Sequence, residues 1–480
     1  MDRRDFLRDS MIVGGALALG GCRILPRRPT HRAIHHSILD GHPADSGIDT
    51  VVVVMMENRS LDSYLGWLAR DHQYLEDGRS RYGRRFRVDG RSQQAFPAPD
   101  GTSVATYRRV QFADPDPWRA CGHPDPGHGW DPGRAQRDGG FLAPGSGNDI
   151  FALGYFEGAD LPVYDALARR FVVCDHWHAS LLGPTYPNRE YLLSGQSGGN
   201  KSNVFPTGDG FPWDTIVDRL ARAGVSTADY YSDLPPLALW GSRMLPYLRP
   251  IAGYFADAAA GRLPSVTFVD PAFLGDARSD DHPHGDPRAA QRFVRDAFAA
   301  FVRSPQWHNG LFIVTYDEWG GFFDHVAPPH FPDDRANAVD SEDFSQAGFR
   351  VPTILASPRA LPGAVDHARY DHTSVLRFLE WRFLGAPARR ATARTPWYLT
   401  QRDRHARNPG ELLSAEYFDP ELYFDPDIAV PAPSAGCGGA ETLGALGAAS
   451  TEPSPWEAGL ESGYWERIGL PADAASTAGG

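Results

Sequence analysis

The chain has 480 residues, 42% of them hydrophobic, and a formal net charge of −13. That length and apolar content suffice for two domains or for one large α/β domain with insertions, while the acidic balance excludes nucleic acid as a partner, because a polyanion requires a basic surface. Four cysteines are present; neither Cys121 nor Cys174 has a Cys-x-x-Cys partner, so cysteine-based zinc chemistry is unsupported, and a Cys121–Cys174 disulfide is permitted only if the chain is exported.

In chain order, Arg3-Arg4-Asp5-Phe6-Leu7-Arg8 and the apolar run from Met11 to Leu19 resemble a twin-arginine export signal. The run is too short for a permanent membrane span. Leu19-Gly20-Gly21-Cys22 resembles a lipobox with Cys22 as the lipidated residue, so residues 1–46 read as signal and tether and the chain as exported: periplasmic, a cell-surface lipoprotein, or secreted. Thr50 to Met56 is an unbroken β-branched and apolar run, the pattern of a strand buried on both faces, and it leads directly into Glu57-Asn58. Residues from about 73 to 130 are polar, Arg/Pro/Asp-rich and weakly periodic, which reads as an insertion over a rim. The basic run Arg79 to Arg87 within it reads as exposed arginines on an irregular hairpin.

Ala159 to Ala168 starts as a helix with an acidic residue and an early proline, and Phe171 to Cys174 reads as a strand. Trp213 to Ala223 is an amphipathic helix before the strand Val225 to Tyr231. Ser265 to Asp270 is a strand ending in an acid. Ala289 to Val302 carries apolar residues at helical spacing. Leu311 to Tyr316 and Val351 to Ala356 complete the strands, and Thr373 to Phe383 is a last core helix. Alternating strands and helices predict an α/β fold, a mostly parallel sheet with helices on both faces and insertions at the rim. Residues 47–430 would form this domain, and 431–480 a low-complexity, extended or disordered tail carrying Trp456 and Trp465.

The strand before Asp317-Glu318-Trp319-Gly320-Gly321 delivers two adjacent carboxylates into a glycine turn. Ligand sites in α/β sheets lie beyond the carboxyl ends of strands, so Glu57, Asn58, Asp317 and Glu318 are expected at one rim. Their oxygen-rich character suits a hard cation; as isolated pairs they would equally serve as caps of the following turns. Gly183-Pro184-Thr185-Tyr186-Pro187-Asn188-Arg189 places a threonine at a helix start, where backbone N–H groups favour phosphate. A free threonine is a poor nucleophile; a coordinating cation lowers its pKa and makes it an attacking alkoxide.

These blocks, with Glu57-Asn58-Arg59-Ser60-Leu61-Asp62, Asp280-Asp281-His282-Pro283, Asp324-His325-Val326 and Tyr370-Asp371-His372-Thr373, resemble in content and order the bacterial phosphoesterase family of non-haemolytic and mycobacterial phospholipases C and secreted acid phosphatases. The resemblance covers about Thr50 to Leu384. It implies an alkaline-phosphatase-like core, a covalent phospho-enzyme, and one divalent or trivalent metal ion (calcium, manganese, iron or zinc). Glu57, Asn58, Thr185, Asp317 and Glu318 would be the metal ligands, Thr185 also the nucleophile, and His128, His282 and His325 the other catalytic groups. Leu61, Trp319 and His284 depart from the family pattern, none of them a proposed ligand. The implied substrate is a phospholipid at a membrane surface, with soluble phosphomonoesters the alternative. A non-catalytic phosphate-binding lipoprotein would need no nucleophile. Discrimination is expected from the insertion, where Tyr82, Arg84, Phe86, Arg87 and Phe96 would form an approach for acyl chains.

Overall fold

A computed structural model describes residues 36–92, 94–111, 116–119, 121–275, 278–337, 342–389, 397–421, 424–425, 427–434 and 455–470. The export signal and Cys22 therefore lie outside the described residues. Eight strands form the central sheet: β1 (Thr50–Met56), β2 (Val172–Cys174), β3 (Thr227–Tyr231), β4 (Leu248–Pro250), β5 (Val266–Asp270), β6 (Gly310–Tyr316), β7 (Ile354–Ala356) and β8 (Val365–Asp366). Their order across the sheet is β8-β2-β7-β6-β1-β5-β3-β4. Every neighbouring pair is parallel except the two made by β7. β1 lies at the centre, all seven of its residues buried, which is why its sequence shows no polar alternation.

Six helices cover the sheet: α1 (Pro162–Arg170), α2 (Thr185–Ser194), α3 (Ile216–Arg222), α4 (Ile251–Ala259), α5 (Pro287–Arg303) and α6 (Thr373–Leu384). α1 and α4 pack with α5 on one face, and α2 and α3 pack with α6 on the other. The α/β class expected from the sequence is thus what the chain adopts. α3 starts later than its apolar pattern suggested because Thr215 caps it, accepting from the Asp218 N–H while the Asp218 carboxylate accepts from the Thr215 N–H. β7 is shorter than expected, for Pro352 has no N–H to give a ladder. None of the described helices is long and apolar enough to cross a membrane.

One expectation, the tail, needs correction, and the pairing of Cys121 with Cys174, which the sequence leaves open, is decided. The permitted Cys121–Cys174 disulfide does not form: Cys174 is a free buried thiol, and Cys121 is itself disulfide-bonded. The tail is not wholly unstructured, for Pro455–Glu461 and Tyr464–Ile468 are helical and bury Trp456 and Trp465 in the main core; aromatic payload outweighed the Pro/Ala/Gly composition on which the expectation rested. The aromatic residues of the insertion face inward. Tyr82 and Phe86 stack at 5.7 Å, with the Tyr82 hydroxyl donating to the Pro362 carbonyl, and Phe96 packs on Phe141 at 5.5 Å. Phe86 and Phe96 remain partly exposed, and Arg84 and Arg87 are exposed.

Gly320 and Gly321 both adopt positive φ, +65° and +69°, and the turn presses on the end of β1. A Cβ on Gly320 would lie 2.3 Å from the Asn58 carbonyl oxygen. Gly320→Ala therefore combines backbone strain of about 1–3 kcal/mol with displacement of Asn58. We expect a lower urea midpoint and a loss of hydrolytic activity; an unchanged midpoint would show that the turn is not under this constraint.

Candidate active site

The parallel register aligns Met56 with Tyr316, so the residues that follow β1 and β6 emerge side by side. The Asp317 N–H donates to the Met56 carbonyl at 3.1 Å. The Asp317 carboxylate in turn accepts from the Asn58 N–H at 3.2 Å and the Glu318 N–H at 2.6 Å. Glu57, Asn58, Asp317 and Glu318, far apart in sequence, meet at one rim, each fully buried. Asn58 holds this geometry at a φ of +62°, a conformation asparagine tolerates better than most residues.

Thr185 is the first residue of α2, after Pro184 in an extended conformation. The turn is knitted by Asn188, whose side-chain oxygen accepts from the Leu181 N–H while its amide donates to the Gly183 and Pro184 carbonyls. The Thr185 hydroxyl donates to Glu57 Oε1 at 3.3 Å. One turn further along α2, on the same face, the buried guanidinium of Arg189 donates to Asp317 Oδ2 at 3.2 Å and pairs with Glu57 and Asp270 at 3.6 Å each. Arg189 stood in the quoted motif without a role. Its spacing of four from Thr185 was the available signal.

Three buried carboxylates thus face one guanidinium. Burial pushes the Asp317 carboxyl up to about 8, with Arg189 opposing and the Glu57 charge adding to the rise. Burial, then Asp317, raises Glu318 well above the carboxylate range, and burial with Glu57 does the same for Asp280, whose carbonyl accepts the Glu57 N–H. A cation bound beside them would favour their charged forms. Asn58 Oδ1 and Glu318 Oε1 are buried without a hydrogen-bond partner. Two orphaned hard oxygens beside Glu57, Asp317 and Thr185 fit a hard metal ion.

His128 and His282 stand at the same rim, their rings 5.7 Å apart. Each has Nδ1 against a carbonyl, Pro126 at 2.8 Å and Pro283 at 3.0 Å. A carbonyl can only accept, so Nδ1 carries the proton and Nε2 holds the free lone pair when the ring is neutral. Burial lowers the His282 pKa, and Asp125, 3.4 Å from Nε2, opposes it. Ligand atoms of Asp125, His128 and His282 lie within 4.8 Å of one another; Asp125 was not singled out from the sequence. Trp319, the departure from the family pattern, is a brace: its indole donates to Gln136 Oε1 at 2.7 Å, and the Gln136 amide reaches the Gly127 and Ser146 carbonyls beside His128. His372 Nε2 contacts the Asp317 carbonyl at 2.7 Å and so supports the rim from behind.

His325 belongs to a different cluster. Its Nδ1 lies 2.6 Å from Asp62 and its Nε2 3.1 Å from Asp89, and Arg350, fully buried, joins Asp62 and Asp324. Its hydrogen bonds are all within that network, which pins the segment after Glu57-Asn58 to the segment after Glu318.

A model of the phosphoesterase family matches residues 48–384. Non-specific phospholipase C6 of Arabidopsis thaliana is 33% identical over 371 residues, spanning 71% of this chain and 69% of its own length. Phospholipase C B of Mycobacterium tuberculosis is 29% identical, spanning 74% and 76%, and non-hemolytic phospholipase C of Burkholderia pseudomallei 28%, spanning 82% and 63%. Among solved structures, a protein of the alkaline phosphatase superfamily from Vibrio parahaemolyticus covers 62% of this chain and 74% of its own at 11% identity, with a TM-score of 0.31; the fold class rests on the sheet itself.

The His325 cluster generates a stability prediction. Burial alone would lower the His325 pKa, but the Asp62 hydrogen bond and charge carry it above its ordinary value. Its contribution is therefore complete below about pH 6.5 and is lost as pH rises through the raised folded value. His325→Asn should destabilise the protein more at about pH 5.5 than at about pH 8.5; equal losses in urea denaturation at both would contradict the ion pair.

Proposed function

The chain belongs to the phosphoesterase family and is a phosphoric ester hydrolase, and from that premise we propose that it is an exported, metal-dependent phospholipase C acting through a phospho-threonine. The observation that carries this reading is the Thr185 hydroxyl, held on Glu57 at the N-terminus of α2 beside the two orphaned oxygens of Asn58 and Glu318. A divalent or trivalent cation held by Glu57, Asn58, Thr185, Asp317 and Glu318 would supply the Lewis acidity that lowers the hydroxyl pKa and offsets charge on phosphorus.

In this reading the Thr185 proton passes to Glu57 as the Oγ1–phosphorus bond forms and the bond to the diacylglycerol oxygen breaks. His128 and His282 face the non-bridging oxygens, and His128, when it carries a proton on Nε2 as well as Nδ1, hands that proton to the leaving oxygen. The first N–H groups of α2 oppose the charge that develops on the phosphoryl group. Water then attacks the same phosphorus, giving its proton to the His128 Nε2 left free by the first step, and the Thr185 oxygen leaves with the proton returned by Glu57, so that the phosphorylated headgroup is released and both groups are restored. His325 acts by bracing the rim. The relatives named above favour a phospholipid substrate. The alternative is hydrolysis of small soluble phosphomonoesters, which present the same phosphoryl group to the rim.

Thr185→Val should lower turnover of phosphatidylcholine roughly a thousandfold or more with an unchanged circular dichroism spectrum, and Thr185→Ser should retain part of it. Near-parental activity in the Val variant would exclude the covalent route, and a preference for p-nitrophenyl phosphate over phosphatidylcholine in the parent would select the phosphomonoesterase. Export is proposed from Arg3-Arg4 and the run Met11 to Leu19. Replacing both arginines with lysine should leave precursor in the cytoplasm; undiminished export in a host lacking the twin-arginine route would reject it.

A further inference from the structure

Trp456 is fully buried, although it sits in a segment that the sequence assigns to a low-complexity tail. Its indole N–H points at Glu57, 3.2 Å from Oε2 and 3.4 Å from Oε1. The ring stacks on Phe273 at 4.3 Å and packs on Tyr186 at 4.8 Å, with the Arg189 guanidinium 5.6 Å from its centroid. Tyr186 directly follows Thr185, and its hydroxyl donates to the Pro455 carbonyl at 2.7 Å. The rest of the segment is anchored independently. Tyr464 and Trp465 each pack on Phe205 at 5.6 Å, and the Tyr464 hydroxyl donates to the Ala238 carbonyl at 2.8 Å. Gly459 permits the close approach, since a Cβ there would lie 2.3 Å from the Phe205 ring.

We infer that the segment Pro455 to Leu470 is a working part of the active site and that Trp456 is a positioning residue, its indole fixing the Glu57 carboxylate for the metal ion. This rests on the reading of Glu57 as a ligand. The chemistry favours a tryptophan in this place. An indole N–H is a donor only and carries no charge, so it orients the carboxylate without competing with a cation, as a further arginine would, and without taking the Thr185 proton. A carboxylate offers about four lone-pair sites; the Thr185 hydroxyl and the indole use two or three, with Arg189 3.6 Å from Oε2, which leaves at least one for a cation. Donors that orient a metal ligand in this way are worth about 10–100-fold in metal affinity.

The test is equilibrium dialysis of the full chain against buffered Mn2+, with metal content read by elemental analysis and melting temperature recorded without metal. Trp456→Phe keeps the stacked ring and removes the N–H; it should melt close to the parent yet bind Mn2+ about 10–100-fold more weakly. Gly459→Ala, which keeps the Trp456 side chain but pushes its segment off Phe205 and so shifts the indole from Glu57, should weaken Mn2+ in the same direction. Truncation after Ser454 should do so at least as strongly and lower turnover. Parental Mn2+ affinity in both point variants, or faster turnover in the truncated chain, would overturn the inference and leave the metal reading standing. A parent that takes up no Mn2+ would overturn both.

Discussion

Carboxylates buried together repel one another and lose their hydration, and the interaction on which this structure depends is the one that offsets this at the rim of β1 and β6: the Arg189 guanidinium, 3.2 to 3.6 Å from Asp317, Glu57 and Asp270. One cation among that many acids leaves an excess of negative charge, and a buried ion pair is costly unless its remaining lone pairs are satisfied. The chain answers with backbone N–H groups aimed at the Asp317 and Glu318 oxygens. It leaves the last oxygens, Asn58 Oδ1 and Glu318 Oε1, without protein partners. A rim that fails to satisfy itself is suited to a ligand that completes it.

The position of α2 follows from the same constraint. Arg189 must reach the ends of β1, β5 and β6, so α2 lies across the strand ends, and Thr185, four residues earlier on the same helix face, is carried to Glu57. Thr185 and the Arg189 counter-charge are therefore carried on one rigid element. Around them the braces are side chains in fixed hydrogen bonds: His372 on the Asp317 carbonyl, Trp319 through Gln136 on the loop of His128, and the Asp62–His325–Arg350–Asp324 network. Functional groups supported this way lose little positional freedom when charge develops.

Parts remote in sequence reach this rim by aromatic packing. Pro455 to Leu470 has little periodicity, yet Trp456, Tyr464 and Trp465 find Phe273, Tyr186 and Phe205. The insertion does the opposite. Its aromatic residues pack on one another and on Phe141 and hold its own loops down, and its contribution to the rim is polar, Asp125 and His128.

The sequence by itself determined most strands and helices of the core, since a strand buried on both faces must be apolar without interruption and a helix packed on a sheet must repeat its apolar face; the short edge strands β4 and β8 and helix α4 escaped it. It also determined which residue types lie at the strand ends, and their chemistry. What it could not supply was adjacency. Nothing in Glu57 or Asp317 specifies that β1 pairs with β6, which the register of Met56 against Tyr316 decides. His325 shares a sequence block with Asp317 and Glu318 yet joins Asp62 and Asp89 instead, while Arg189, Asp125 and Trp456 enter the site on contacts between segments 132 to 399 residues apart. Local periodicity is written in neighbouring residues; a charge cluster is a property of positions in space, fixed only when the whole chain has packed.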